Sequence, residues 1–247
     1  MKQNKISFMF FAIAILGVLL ISGCTTINNT AGEEDTNSLS EKGRLVMTMT
    51  DAAADMNSIS EVRMTISNIE AHSKTEGWIS LESKQQTYDL LDLNSQNKAE
   101  LMADLEINPD EFTQVRFEIE EVVVVDSEGE HKAKVPSNQY IININSKVEA
   151  NQTSTVEIDI LADESLHITG NGEYIMAPVA KVETKSNAEV QIKGDNSVIV
   201  SKGKTTSKTT VGMDVNGNVG VGLKIPTDAN LEINTLISGE SVIEQLI

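Results

Sequence analysis

The strongest constraint in this sequence is an alternation of apolar and polar residues that begins at Gly43 and recurs along the chain. Five runs carry it most clearly, with the apolar members Leu45, Met47 and Met49; Val62, Met64 and Ile66; Val115, Phe117 and Ile119; Tyr140, Ile142 and Ile144; and Val156, Ile158 and Ile160. A period of two is typical of strands that bury one face and expose the other, as in antiparallel sheets. The sequence therefore predicts an all-β fold, an antiparallel β-sandwich of the immunoglobulin- or transthyretin-like kind.

Two segments depart from this alternation. Glu120 and Glu121 place two acidic residues in succession, which predicts a β-bulge or a change of register at that point. The segment 96–105, with the sequence QNKAELMADL, has its apolar residues on one side of a helix and is followed by Pro109. We therefore expect a short crossover helix near 96–105.

The last part of the chain, residues 186–247, differs in composition. It has no aromatic residues and is rich in Gly, Asn, Thr and Lys. Asn216-Gly217-Asn218 lies between two short apolar alternations, and Asn-Gly is a strong hairpin signal. The tail is predicted to be a small, hairpin-rich β-meander, either a separate unit or an extension of the main sheet. With so few large apolar side chains, it is not expected to hold a core alone.

The first 23 residues have the layout of an export signal. Two lysines precede fourteen uncharged residues, Phe8–Ile21, a run shorter than the roughly 20 residues that span a bilayer. The run ends in the sequence ISGC, which resembles the lipobox of prokaryotic lipoproteins. That resemblance implies cleavage between Gly23 and Cys24 and attachment of a diacylglyceryl group to the Cys24 thiol. Two acyl chains hold a protein at a membrane stably, whereas one does so only marginally. The alternative is an uncleaved anchor with an incidental cysteine.

Residues 24–42 would link that anchor to the domain. Thr25–Lys42 has few large apolar side chains and no aromatic residue, which predicts a disordered tether. Random-coil scaling gives this segment a reach of roughly 20–25 Å. Asn28 and Asn151 each begin an Asn-x-Thr triplet, the glycosylation signal of exported chains.

The net charge limits the partners of this chain. It carries 19 basic and 37 acidic residues, a formal charge of −18. Loss of Lys2 and Lys5 with the signal leaves 17 basic residues and a charge of −20. Nucleic acids and anionic lipids need basic surfaces, so neither is an expected partner. Membrane contact is expected only through lipid on Cys24, which predicts a protein anchored on the extracytoplasmic face of the cell membrane. As the only cysteine, Cys24 leaves no internal disulfide.

Six phrases of the sequence occur in an order that is familiar from one family. They are MTDAAADMNSISEVRMTISNIEAH, GWISL, TYDLLDL, FTQVRFEI, KVPS and GNGEYIMAPVAKVET. Together they resemble the family known as domain of unknown function 4382, which is found in exported prokaryotic proteins. The resemblance covers about Gly43–Lys185 and implies a β-rich surface domain without an assigned activity. The sequence departs from the family at Ala53, where a proline is common, and at Pro109-Asp110-Glu111, where a Pro-Ala-Gly-like turn is common.

No arrangement of histidines or aspartates predicts a metal site. The spacing of the three histidines gives no support for zinc, and they are His72, His131 and His167. Asp51 and Asp55 flank a short loop and could contribute to a calcium site, but a strand end and a turn cap explain them more simply. We therefore expect no bound metal.

The sequence also lacks the motifs of catalysis. Asp89 and Asp92 are expected on opposite faces of a strand, which does not suit a shared acid–base site. There is no Gly-x-Ser-x-Gly elbow, phosphate-binding loop or dinucleotide fingerprint. We expect no catalytic residue, no enzymatic activity and no cofactor.

Three aromatic residues are the candidate ligand contacts. Trp78, the only tryptophan, follows Gly77 in a predicted hairpin and either stacks on a sugar ring or anchors the core. Tyr88 and Tyr140 are the other two candidates. Exposure of all three rings in one groove would favour ligand binding.

Three functional hypotheses follow. The favoured one is a lipid-anchored cell-surface β-sandwich that acts as a non-catalytic binding or structural module for a protein or glycan partner. The second is a solute- or glycan-binding lipoprotein that serves a transporter or the cell wall. The third is a secreted hydrolase, which would need two facing carboxylates about 5–10 Å apart in a cleft.

Overall fold

The computed structural model describes residues 41–51, 56, 58–235 and 240–246. The predicted signal, its cleavage point at Gly23 and Cys24, most of the predicted tether, Asn28 and Asp55 lie outside these residues. The last two tether residues are described, and both contact Asn151: the Asn151 amide donates to the Lys42 carbonyl at 2.8 Å and its side chain donates to the Glu41 carboxylate at 2.5 Å.

The described chain forms eighteen strands and two short helices. The first half consists of β1 (Gly43–Asp51), β2 (Ile59–Ser73), β3 (Gly77–Glu82), β4 (Gln86–Asp89), α1 (Leu90–Ser95), β5 (Ala99–Ile107), β6 (Asp110–Asp126), β7 (Gly129–Lys132), β8 (Gln139–Val148) and β9 (Thr153–Ile160). The second half consists of α2 (Ala162–Ser165), β10 (Leu166–Ile168), β11 (Tyr174–Met176), β12 (Val179–Ser186), β13 (Glu189–Ile192), β14 (Ser197–Ser201), β15 (Lys204–Met213), β16 (Val219–Val221), β17 (Asn230–Thr235) and β18 (Ser241–Leu246). Neither helix has the length or apolar character needed to cross a membrane.

Two large sheets enclose the core. One has eight strands in the order β13-β14-β5-β1-β9-β12-β15-β16, and the other has the order β3-β2-β6-β7, with β4 also paired to β2 and β8 to β6. Alternating residues from both sheets meet in one apolar cluster, for example Met47 and Ile158 from the first sheet and Met64 and Phe117 from the second. The all-β prediction is confirmed. One pair, β1 with β9, is parallel, so the sheets are not wholly antiparallel.

The predicted irregularity in β6 is confirmed. Thr65 pairs with Glu121 and Ile66 pairs with Ile119, so Glu120 is an extra residue that the register skips. A β-bulge of this kind keeps the apolar residues on both sides of it directed at the core. The Ser67 hydroxyl donates to the Glu120 carboxylate and holds the bulge.

The predicted helix at 96–105 is wrong in position. The helix is α1, Leu90–Ser95, and residues 99–107 form strand β5. Asp89 starts the helix, because its carboxylate accepts hydrogen bonds from the amides of Leu91 at 3.1 Å and Asp92 at 3.4 Å. Strand β5 pairs with β1 on one side and β14 on the other, and this pairing outweighs the helical propensity of its sequence.

The C-terminal tail forms three separate hairpins rather than one β-meander. Hairpin β13–β14 joins one edge of the eight-stranded sheet through β5, and β15–β16 joins the other edge through β12. The predicted Asn-Gly hairpin is present, with Val211 paired to Val221 and Gly217 at a positive φ of 81°. Hairpin β17–β18 is a two-stranded sheet of its own. Most of the tail thus extends the main sheet.

The strand directions define two ends of the sandwich. Gly43 pairs with Ile107, and Asp110, three residues further on, pairs with Val148; we call this the near end. Strands β1 and β9 run in parallel away from it to Asp51 and Ile160. Strand β6 also starts at the near end and runs for 17 residues. Its last residue, Asp126, lies at the opposite end, which we call the far end.

Candidate functional site

The three aromatic candidates do not share a groove. Tyr88 is 2 % exposed and Tyr140 is 0 % exposed. The Tyr88 hydroxyl donates to the Leu101 carbonyl at 2.9 Å, and the Tyr140 hydroxyl donates to the Val211 carbonyl at 2.8 Å. Burial raises the pKa of both phenols. These tyrosines tie the two sheets together and are not available to a ligand, so the predicted contacts at Tyr88 and Tyr140 are wrong.

Trp78 is half-buried on the outer face of the six-stranded sheet, outside the core. It pairs with His72 across β2 and β3, and the two rings meet edge to face at 5.0 Å. The guanidinium of Arg116 lies 4.0 Å from the centre of the indole ring and donates to Glu70 at 2.6 Å. A sugar would have to compete with the guanidinium for that side of the ring, because a cation–π contact already covers it.

The histidines lie in three different places. His72 contacts Trp78, His131 lies on β7 at the far end, and His167 is buried in β10. Burial lowers the pKa of His167. Among the residues that the structure describes, no group of three or more metal-binding side chains comes together. Asp51 ends β1 in a buried position and accepts from the Ala162 amide at 3.4 Å, a structural contact between β1 and α2.

Asp89, Asp92 and Asn151, the described sequon residue, also lie at places where they serve the fold. Asp89 is the last residue of β4 and caps α1, and Asp92 lies in the first turn of that helix, so the two do not share a strand. Partial burial raises the pKa of Asp89, the helix cap, although the hydrogen bonds that its carboxylate accepts act to lower it. Asn151 is exposed in the turn between β8 and β9 at the near end, where its side-chain amide is hydrogen-bonded to Glu41.

A polar cleft of about 540 Å³ lies at the far end, and we call it the far cleft. Its walls come from β7 and the segment after it, the turn between β10 and β11, and hairpin β17–β18. The lining residues are Glu130, His131, Lys132, Ala133, Lys134, Gly172, Glu173, Tyr174, Ile233 and Ser241. The volume lies within the roughly 300–1,000 Å³ that small-molecule sites occupy.

Asp126 organises one wall of the far cleft. One of its oxygens accepts hydrogen bonds from the amide of Glu128 at 2.7 Å and from His131 Nε2 at 3.0 Å. Its other oxygen accepts from the Tyr174 hydroxyl at 2.7 Å. The hydrogen bond from Tyr174, followed by the others, lowers the pKa of Asp126 to about 2. Burial and the bond to Asp126 raise the pKa of Tyr174 to about 12. Asp126 is therefore an ionised anchor that fixes two ring side chains.

The other carboxylates of the far cleft are also engaged. Glu130 accepts from Arg63 at 2.6 Å across the sheet, and Glu173 accepts from Asn171 at 2.7 Å within its turn. Both side chains therefore already accept hydrogen bonds from neighbouring residues.

A second cavity of about 640 Å³ lies at the near end, and we call it the near cavity. Its lining residues are Lys74, Thr75, Pro109, Asp110, Glu111, Lys147, Val148, Glu149 and Ala150. Four of its five charged side chains form ion pairs: Lys74 with Glu111, and Lys147 with Glu149 at 2.7 Å. These pairs leave little to recognise a ligand.

The far cleft was not found by sequence reasoning. The sequence DSEGE has an aspartate three residues before a glycine, which could have identified Asp126 as the residue that holds a hairpin turn. Nothing local indicates its bond to Tyr174, because the two residues are 48 positions apart.

Comparison with known proteins places this domain. A family model described as Domain of unknown function (DUF4382) matches residues 42–178, more than half of the chain. The chain belongs to this family. The matched part of the DUF4382 domain includes Asp126, His131, Lys134 and Tyr174, and excludes the C-terminal tail. No significant match occurs among the curated proteins or the solved structures.

Proposed function

We propose that this DUF4382 protein is a lipid-anchored, extracytoplasmic binding module of the prokaryotic cell surface that acts without catalysis. Two features support the anchor: the short apolar run and the ISGC sequence that ends at Cys24. The observation that carries the binding role is the placement of the far cleft. It lies at the end of the sandwich opposite Gly43, the end at which the chain would arrive from the proposed anchor.

The strand directions support the proposal that the far end is the presenting end. A strand of 17 residues, the length of β6, extends at most about 55 Å at roughly 3.3 Å per residue. With a lipid on Cys24 and β1 starting at Gly43, the near end would face the membrane. The far cleft would then open toward the medium, within reach of a soluble or wall-bound ligand.

A second form of the proposal is a solute- or glycan-binding lipoprotein that serves a transporter or the cell wall. The volume and polar lining of the far cleft favour it over a purely structural module, because a flat structural interface needs no such concavity. Residues of the far cleft, rather than Tyr88 and Tyr140, would make the contacts. The engaged state of Asp126, Glu130 and Glu173 supports binding without hydrolysis.

Replacement of Cys24 tests the anchor. The Cys24→Ser protein cannot form the thioether to lipid, so the mature, lipid-bearing form should disappear from the detergent phase of a phase-separation assay of whole cells. The matched control is Ser22→Ala, which keeps a small residue before the cleavage point and should partition like the wild type. A Cys24→Ser chain that still begins at residue 24 and carries acyl mass would contradict the proposal.

A further inference from the structure

Lys134, a lysine that lines the far cleft, has no ion pair among the described residues. The main chain of Lys134 is fixed, because its amide donates to the Tyr174 carbonyl at 2.8 Å and its carbonyl accepts from the Met176 amide at 2.8 Å. Its ammonium group forms no ion pair with any carboxylate in the described part of the chain, although the residue is half-buried. Lys132, on the same wall, is paired with Glu121.

The His131 side chain is a second polar group of the far cleft, and only one of its two ring nitrogens has a hydrogen-bond partner among the described residues. A carboxylate can only accept, so His131 donates its Nε2 hydrogen to Asp126. Its Nδ1 atom has no hydrogen-bond partner among the described residues. The ring lies 5.6 Å from the ring of Tyr174, and the two are tilted by 51°. Because Asp126 binds both side chains, the imidazole is fixed before any ligand arrives.

The carboxylates of the far cleft limit the charge that a ligand can carry. Glu130 and Glu173 both line it, and they would repel a compact dianion such as phosphate. They can accept hydrogen bonds from hydroxyl groups. A ligand with one negative charge at Lys134 and neutral hydroxyls toward the glutamates would meet both requirements.

We propose that the far cleft binds a hydroxylated monocarboxylate, the chemistry of a sugar acid. Lys134 Nζ would hold the carboxylate, and His131 Nδ1 and the Glu173 carboxylate would hold the hydroxyls. This deepens the proposed function and rests on it for the cellular setting, whereas the binding itself does not depend on the lipid. The same chemistry occurs in a free sugar acid and at the end of an acidic polysaccharide.

Titration with matched small molecules tests the ligand class. The full-length protein, purified from membranes in detergent, is titrated with D-galacturonate and followed by calorimetry or ligand-observed NMR. D-galactose keeps most of the hydroxyls without the carboxylate, and acetate keeps the carboxylate without the hydroxyls. We expect saturable binding of D-galacturonate. D-galactose and acetate should bind at least about tenfold more weakly, because D-galactose loses a charge-assisted contact and acetate loses several hydroxyl contacts. Inorganic phosphate should not compete.

Two lysine variants locate the site. Lys134→Gln should weaken D-galacturonate binding about tenfold, the loss expected for one charge-assisted contact. The control is Lys84→Gln, an exposed lysine between β3 and β4 that also has no ion pair among the described residues; it should bind like the wild type. If Lys134→Gln melts at a much lower temperature than the wild type, His131→Gln is the second variant. It should weaken D-galacturonate binding by removing a hydroxyl contact, and it leaves the contact between Lys134 and the ligand carboxylate in place.

The outcomes separate this inference from the proposed function. Absence of saturable binding up to about 50 mM, a range far above common ligand affinities, would overturn it, as would equal weakening by Lys134→Gln and Lys84→Gln. Oligogalacturonate that binds more tightly than the monomer indicates a polysaccharide end, and weaker binding indicates a free acid. Cleavage of the oligomer that Lys134→Gln abolishes would support the site and overturn only the non-catalytic role. Failure of the Cys24 experiment would leave the binding result unaffected.

Discussion

The near cavity and the far cleft lie at opposite ends of one sandwich, and they differ in what their charged groups already contact. Both are organised by an aspartate that ends a β-strand or begins one. Partial burial acts to raise the pKa of Asp110, but hydrogen bonds from Ser73 and Thr75 outweigh it and lower the pKa to about 2. The pKa of Asp126 is also about 2. A strongly lowered pKa therefore marks a turn anchor at each end and does not by itself identify a binding site.

The difference lies in the groups around each aspartate. At the near end, Lys74 and Lys147 are paired with neighbouring glutamates. At the far end, Lys134 and one nitrogen of His131 are left without a partner among the described residues. Polar groups without a protein partner are what a ligand can use, because binding to them costs no existing contact. This difference is why we propose the far cleft, and not the near cavity, as the binding site.

The largest difference between the two ends should appear in protein stability, when a side chain that donates to Asp126 or to Asp110 is replaced. Tyr174→Phe removes a buried hydroxyl that donates to Asp126 at 2.7 Å, and we expect a loss of about 1–2 kcal/mol in the free energy of unfolding. Thr75→Val removes an exposed hydroxyl that donates to Asp110 at 2.8 Å, and we expect a loss below about 1 kcal/mol. Urea unfolding of both variants measures the two losses.

The same pair should also differ in ligand binding. Tyr174→Phe releases one constraint on the Asp126–His131 wall and should weaken D-galacturonate binding several-fold. Thr75→Val should leave it unchanged, because Asp110 lies at the other end. Equal effects of the two substitutions on binding would break the distinction between the ends.

A smaller effect should appear as a pH dependence of stability that originates at His167 in β10. Burial lowers the folded-state pKa of His167 below its ordinary value of 6.5. The unfolded chain therefore binds a proton more readily, and stability should fall as the pH drops through about 6.5 toward the folded-state pKa. Urea midpoints at about pH 7.5 and 5.5 measure this decrease. His167→Gln should reduce it, and the control His72→Gln should retain it because His167 is still present. An unchanged decrease in His167→Gln would contradict the assignment of this pH dependence to His167.

Much of the fold was predictable because its signals are local. Alternation identified the strands, Glu120-Glu121 located the bulge, and Asn216-Gly217 located a hairpin. The helix was misplaced because residues 99–107 have helical propensity, whereas strand pairing with β1 and β14 decides their structure. The far cleft was not predictable, since Lys134 meets β11 through a bridge to Ile175 that no spacing in the sequence reveals.

The most direct test of the account measures which end of the protein faces the membrane. In the lipidated protein the Cys24 thiol is consumed, so a single added cysteine is the only reactive thiol. Ser127→Cys places a fluorescent donor in the exposed turn after β6 at the far end, and Ala150→Cys places it in the exposed turn after β8 at the near end. Each labelled protein is reconstituted into liposomes that carry an acceptor on their lipid headgroups.

We expect markedly higher energy transfer to the membrane from residue 150 than from residue 127. The reason is that the two positions lie at opposite ends of a sandwich whose strand β6 alone has 17 residues. Equal transfer from the two positions, or higher transfer from residue 127, would contradict the claim that the far cleft is presented away from the lipid.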